Sequence, residues 1–203
     1  DTKCVFKYNS CMNIFILDEN HDKCAEYHVD KHIIKMPLEA AQMLCTNHWV
    51  DKHLGFIPRK LNKEELAVIR KQKKNEPRDF PYLPTMENHP CTIWARESSE
   101  NFSWLWQHAI AISETYSDRY GKCHKSAMAM MKHNHVWKEV LELLPKTGQT
   151  DFAVAISPNM RCRYLPGFEE LSTVEKYRAY YVYDKDRIAV WSWPHEKPEW
   201  YGE

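Results

Sequence analysis

Residues 28–45 read HVDKHIIKMPLEAAQMLC. On a helical wheel at about 100° per residue, His28, His32, Lys35, Glu39 and Gln42 fall inside a stripe roughly 80° wide. Val29, Ile33, Met36, Ala40, Met43 and Leu44 border it on one side, and Tyr27, Ile34, Leu38, Ala41 and Cys45 on the other. Apolar residues therefore cover most of the circumference, and the helix is expected to be mainly buried. Its polar stripe faces either solvent, with Pro37 making a surface kink, or an internal polar cleft. Solvent stripes favour repeated Glu and Lys. This one holds two His with one Lys, one Glu and one Gln, which favours the cleft.

Around this helix, expected over about 24–46, the chain reads as mainly α. Residues 13–17 form a short apolar run, a strand or extended lead-in ending at Asp18. Segment 48–85 is broken by Gly55, Pro58, Pro77, Pro81 and Pro84, with a short helix expected over 62–74. Nine Lys/Arg face five Asp/Glu over 51–80, so the segment reads as a basic, irregular surface arm. A helix capped by Ser98 or Ser99 runs to about Arg119, with Phe102, Leu105, Trp106, Ala109, Ile110 and Ile112 apolar. Gly121 stops it. Another helix is expected over 126–144. Ser172-Thr173-Val174-Glu175 is a capping box for a last helix to about Asp184. The expected architecture is a single-domain, bundle-like fold over 13–203, with 1–11 an upstream segment carrying no function.

Composition removes several function classes. Only 5 Gly occur in 203 residues, below the usual ~7%, and they stand alone, so no G-x-G-x-x-G, P-loop or G-x-S-x-G can be written. With 28 Lys+Arg against 28 Asp+Glu, no global basic field attracts nucleic acid. Seven Cys without a C-x-x-C read as free, buried thiols in a reducing cytoplasm. No signal peptide and no membrane span are expected.

Three functional readings follow, the first two built on the stripe, whose groups could bind a metal, hold an anion or move a proton. His28 and His32, at i and i+4, could share a metal ion with Glu39, a two-His-one-carboxylate set for a metal-dependent oxygenase or hydrolase, although Lys35 one turn on would repel a cation. An anion site draws on more of the chain. Lys122, His124 and Lys125 cluster at one helix start, and His89 and Arg96 lie near another, where free N–H groups favour phosphate. The leading expectation is an enzyme acting on a nucleotide or nucleic acid. Lys35, Gln42, His89, Arg96, Lys122, His124 and Lys125 would bind substrate, while in the catalytic set His28 and His32 hold or polarise phosphate and Asp30 or Glu39 is the general base. The third reading is a non-enzymatic inhibitor or adaptor that binds a host protein through 48–85 and the Trp-rich tail. No cofactor motif is present.

Several motifs occur together: ILD at 16–18, HVDKHIIKM at 28–36, NHPC at 88–91, WARES at 94–98, RYGKCHKS at 119–126 and YRAYY at 177–181. In combination they resemble a family of uncharacterised proteins of tailed bacteriophages and some bacteria. The resemblance spans 13–200. It implies a setting, an accessory protein in the bacterial cytoplasm, and no activity.

Overall fold

The computed structural model describes residues 12–75 and 81–202; the expectations for 1–11 and for Pro77 lie outside them. The fold is mainly α, with eight α-helices and no strand among the described residues. The 12–17 run is a buried, non-helical lead-in. Phe15 within it adopts φ 55°, a left-handed conformation that a bulky residue rarely takes. Asn13 holds that turn, its Oδ1 accepting from the N–H groups of Ile14 (2.8 Å) and Phe15 (3.3 Å).

Where one helix was expected over 24–46, two form, α1 (His21–Glu26) and α2 (Asp30–Leu54). Asn20 caps α1 through the N–H groups of Asp22 and Lys23. The chain then breaks at 27–29 because the His28 ring takes the Cys24 carbonyl (Nδ1 to O 2.6 Å). The Asp30 N–H, orphaned at the new helix start, donates to Val190 O at 2.9 Å. α2 runs unbroken across Pro37 and stops at Gly55, whose φ of 75° suits glycine.

The segment expected as an irregular arm is substantially ordered. Its first seven residues continue α2, and α3 (Lys63–Asn75) follows. Val50, Leu61 and Ile69 form a small apolar core with Leu54, Ile57 and Leu66. Burying Val50, Leu61 and Ile69 is worth about 1.5–3 kcal/mol each, which holds α3 against α2.

α4 (Pro90–Trp94) is a single turn capped by His89. α5 (Ser99–Tyr120) is capped by Ser98 through the Asn101 N–H and closed by Gly121 at φ 64°, as its caps imply. The helix expected over 126–144 is two, α6 (Lys125–Lys132) and α7 (Asn134–Leu143), broken at His133. α8 (Thr173–Asp184) carries the full Ser172–Glu175 capping box. α2 and α5 pack together as the centre, with α1 on α5 and α6 and α7 across α2 and α5. The tail returns over the α1–α2 junction: Trp191 Nε1 donates to Tyr27 O, and the Ser192 N–H and Oγ donate to Asp30.

Candidate functional site

Part of the polar stripe turns inward and part of its apolar border turns outward. His28, His32 and Glu39 are buried, whereas Ile34 is 51% exposed and Leu38 36% exposed. Each buried polar group has a partner that makes burial tolerable. Tyr181 OH lies 2.6 Å from His32 Nδ1, and the Phe15 ring stacks on the imidazole at 4.3 Å. Glu39 takes Lys35 Nζ on one oxygen (2.6 Å) and the Asn13 N–H on the other (3.1 Å). Asn13 Oδ1 also accepts from Tyr177 OH at 2.8 Å. α2, the lead-in and α8 thus meet at one polar seam. Lys35 remains 47% exposed at its rim, and Lys185 lies over the Phe15 and Tyr180 rings. Burial first, then the neighbouring His28, Lys185 and Lys35, pushes the His32 imidazole well below its ordinary proton affinity.

The eleven candidate residues divide into two groups. Lys35, Lys122 and Lys125 are exposed, and Gln42 is half-buried on the stripe. The other seven are committed to internal bonds, as Lys35 is in part through its ion pair with Glu39. Asp30, expected as a general base, is fully engaged: Oδ1 takes Arg119 (2.8 Å) and Oδ2 takes Ser192 Oγ (2.6 Å). Arg96, expected to bind substrate, is buried. It donates to the carbonyls of Ile57, Glu87 and Arg59 and to Asn47 Oδ1, pinning the loop before α3. Desolvation lowers its guanidinium to about 10. His89 caps α4, accepting from the Cys91 N–H. His124 caps α6 through the Ser126 N–H, and its Nε2 donates to Ile34 O at 3.1 Å. With both nitrogens committed, His124 is a bridge between α6 and α2 rather than a free cation.

That bridge gathers part of the expected cationic set. α6 starts against the outward face of α2, so the chain that carries Lys122 and Lys125 approaches the turn of α2 on which Ile34, with Lys31, Lys35 and Leu38, is exposed; Lys122 Nζ itself lies over the Tyr116 ring of α5. His89 and Arg96 do not join it; they serve the α3–α4 side. A cavity of about 760 Å³ lies elsewhere, between the starts of α1 and α8. Glu19, Asp151, Ser172 and Thr173 line it and no Lys or Arg does, so it offers phosphate no countercharge.

The metal set expected from His28, His32 and Glu39 does not converge: Glu39 is tied to Lys35 and Asn13, and the His28 and His32 rings are 6.2 Å apart. A different trio does. Cys24 of α1, His28 of the junction and His108 of α5 place one donor atom each within 4.8 Å of one another, all buried. Burial raises the Cys24 thiol to about 12 and lowers His28 to about 4. Sequence reading missed Cys24 and His108. The available signals were Cys24 at i−4 from His28, and a lone histidine inside the apolar set Trp104, Leu105, Ala109 and Ile112 of α5. Set beside known proteins, no family model matches the chain, and no curated protein or solved structure matches it significantly.

Proposed function

We propose that the protein binds a phosphate-bearing ligand, nucleotide or nucleic acid, on the face where α6 starts against α2. The observation behind this reading is the His124 Nε2–H to Ile34 O bond of 3.1 Å, which brings the Lys122 and Lys125 end of α6 to the helix face carrying Lys31 and Lys35. Lysines on an open face supply countercharge along a phosphate backbone, and the exposed Ile34, Leu38 and Met128 offer apolar surface to bases. An open face favours a polymer over a mononucleotide, since small ligands favour concave pockets. A reaction at this edge would place phosphate beside Glu39 and His32, the titratable groups beneath Lys35; Asp30, held by Arg119 and Ser192, is not the base. The phage setting implied by the sequence motifs is compatible with a nucleic-acid ligand.

The test is fluorescence anisotropy with labelled single-stranded and duplex oligonucleotides and a nucleoside triphosphate, at several salt concentrations. Lys35→Ala/Lys125→Ala should weaken oligonucleotide binding at least about tenfold and reduce the salt slope by about 2. Unchanged affinity in that variant, or no binding of any of these ligands by the parent chain, removes the reading. A second reading, an acidic protein partner, is favoured by Met131, 71% exposed next to Lys132. Capture of an acidic amphipathic peptide with no nucleic-acid binding would select it.

A further inference from the structure

The Cys24, His28 and His108 trio lies in the core, apart from the lysine face, and its hydrogen bonds have the pattern of ligands held ready for an ion. His108 Nδ1 is 3.0 Å from His21 O, and His28 Nδ1 is 2.6 Å from Cys24 O. A carbonyl only accepts, so each Nδ1 carries the proton and each Nε2 is a bare lone pair. Backbone carbonyls that fix the far nitrogen of a histidine are the usual outer partners of metal-bound imidazoles. His108 Nε2 points at Cys24 Sγ, 3.8 Å away. Arms of ~2.3 Å to sulfur and ~2.0–2.1 Å to nitrogen separate the two by ~3.6 Å at a tetrahedral angle and ~3.8 Å at a trigonal one.

His28 is harder to explain without an ion. Its Nε2 faces Ile14 O at 3.3 Å, but the ring's single proton is on Nδ1 at the shorter contact. A lone pair then faces a carbonyl oxygen inside the core. An ion between them would turn that contact into coordination, because two ~2.1 Å arms at a tetrahedral angle leave nitrogen and oxygen about 3.4 Å apart.

We propose that Cys24, His28 and His108 bind one zinc-class transition-metal ion through Sγ and the two Nε2 atoms, with the Ile14 carbonyl as the fourth donor. One thiolate with two imidazoles and no carboxylate selects such an ion over magnesium or calcium. All three side chains are at most 1% exposed, so the centre is closed and structural: it ties α1 and the α1–α2 junction to α5. On binding, the Cys24 S–H bond breaks and the sulfur–metal bond forms. The proton leaves to solvent, and both imidazoles enter neutral.

The alternative is a plain core thiol, since Cys24 Sγ also lies 3.4 Å from Phe15 O and 3.3 Å from the Leu17 nitrogen. The two are separated by growing the full chain in zinc- or cobalt-supplemented minimal medium and measuring its metal content after gel filtration. About one equivalent is expected, with a thiolate-to-cobalt charge-transfer band in the near ultraviolet. Cys24→Ser should abolish the band, His108→Gln should lower the metal content at least about tenfold, and Cys123→Ser, at an exposed thiol, should change neither. A parent chain with less than about a tenth of an equivalent of either ion overturns the proposal, whatever the variants do. So does a band that persists in Cys24→Ser.

Discussion

His28, His32 and His108 are buried as neutral rings, and burial is the leading reason each holds its proton less tightly than a free imidazole. Their folded-state proton affinities lie below the unfolded ones, so the unfolded chain takes up protons first as pH falls. The stabilisation is present above pH 6.5 and is lost towards pH 4, the ordinary and buried values for His28. By linkage, His28 alone should remove about 2 kcal/mol by pH 5, and the other two add in the same direction. Urea unfolding of chelator-treated protein at pH 7 and pH 5 reads this directly. A midpoint that does not move would mean that these rings are not buried neutral. The stripe's composition favoured an inward face for His32 and Glu39, but the wheel could not supply the groups that make their burial tolerable. Tyr181 OH and the Asn13 N–H, their burial partners, are 149 and 26 residues away in sequence.

At the scale of elements, the caps were legible and the breaks were not. Ser98, Gly121 and the Ser172–Glu175 box mark their helix ends as expected, because a cap is made by residues within a turn of the end. The interruption at 27–29 depends instead on the Cys24 carbonyl turning to the His28 ring and on Val190 receiving the Asp30 N–H. No local propensity records a carbonyl 160 residues away. The segment after α2 shows the same dependence. Its prolines and charges read as a loose arm, yet Arg96, from another element, bonds the carbonyls of Ile57 and Arg59. Arg96→Ala leaves those carbonyls without their charged donor and should cost about 2–4 kcal/mol. Hydrogen exchange should also rise through 56–75. Exchange in α3 that stays at the parent level would show that the small Val50–Leu61–Ile69 core is sufficient to dock it.

For the molecule as a whole, Arg119 and Asp30 close the fold. The Arg119 side chain is fully buried at the end of α5. It reaches His28 O, Glu26 O and Asp30, and Asp30 in turn holds Ser192 of the returning tail. Removing the carboxylate leaves a buried cation without its counterion, which is costlier than losing the pair together. Asp30→Ala should therefore destabilise the protein by about 3–5 kcal/mol and open the tail to limited proteolysis around residue 192. A variant whose tail stays protected and whose stability matches the parent would place the closure elsewhere. The net charge of zero likewise resolves into faces once the chain is folded: lysines gather where α6 meets α2, and acids line the cavity between α1 and α8.

The sequence by itself determined the mainly α class, several helix ends, and the absence of glycine-built phosphate loops, since each follows from periodicity, caps or composition within a few residues. It also marked 28–45 as a mainly buried segment with an unusual polar stripe. What the stripe packs against, which histidines meet, and which cations are tied up as staples were decided only by the tertiary structure. Burial of a polar side chain is permitted by its partner, and here the partners come from distant elements: Tyr181 for His32, Asn13 for Glu39, and His108 for Cys24.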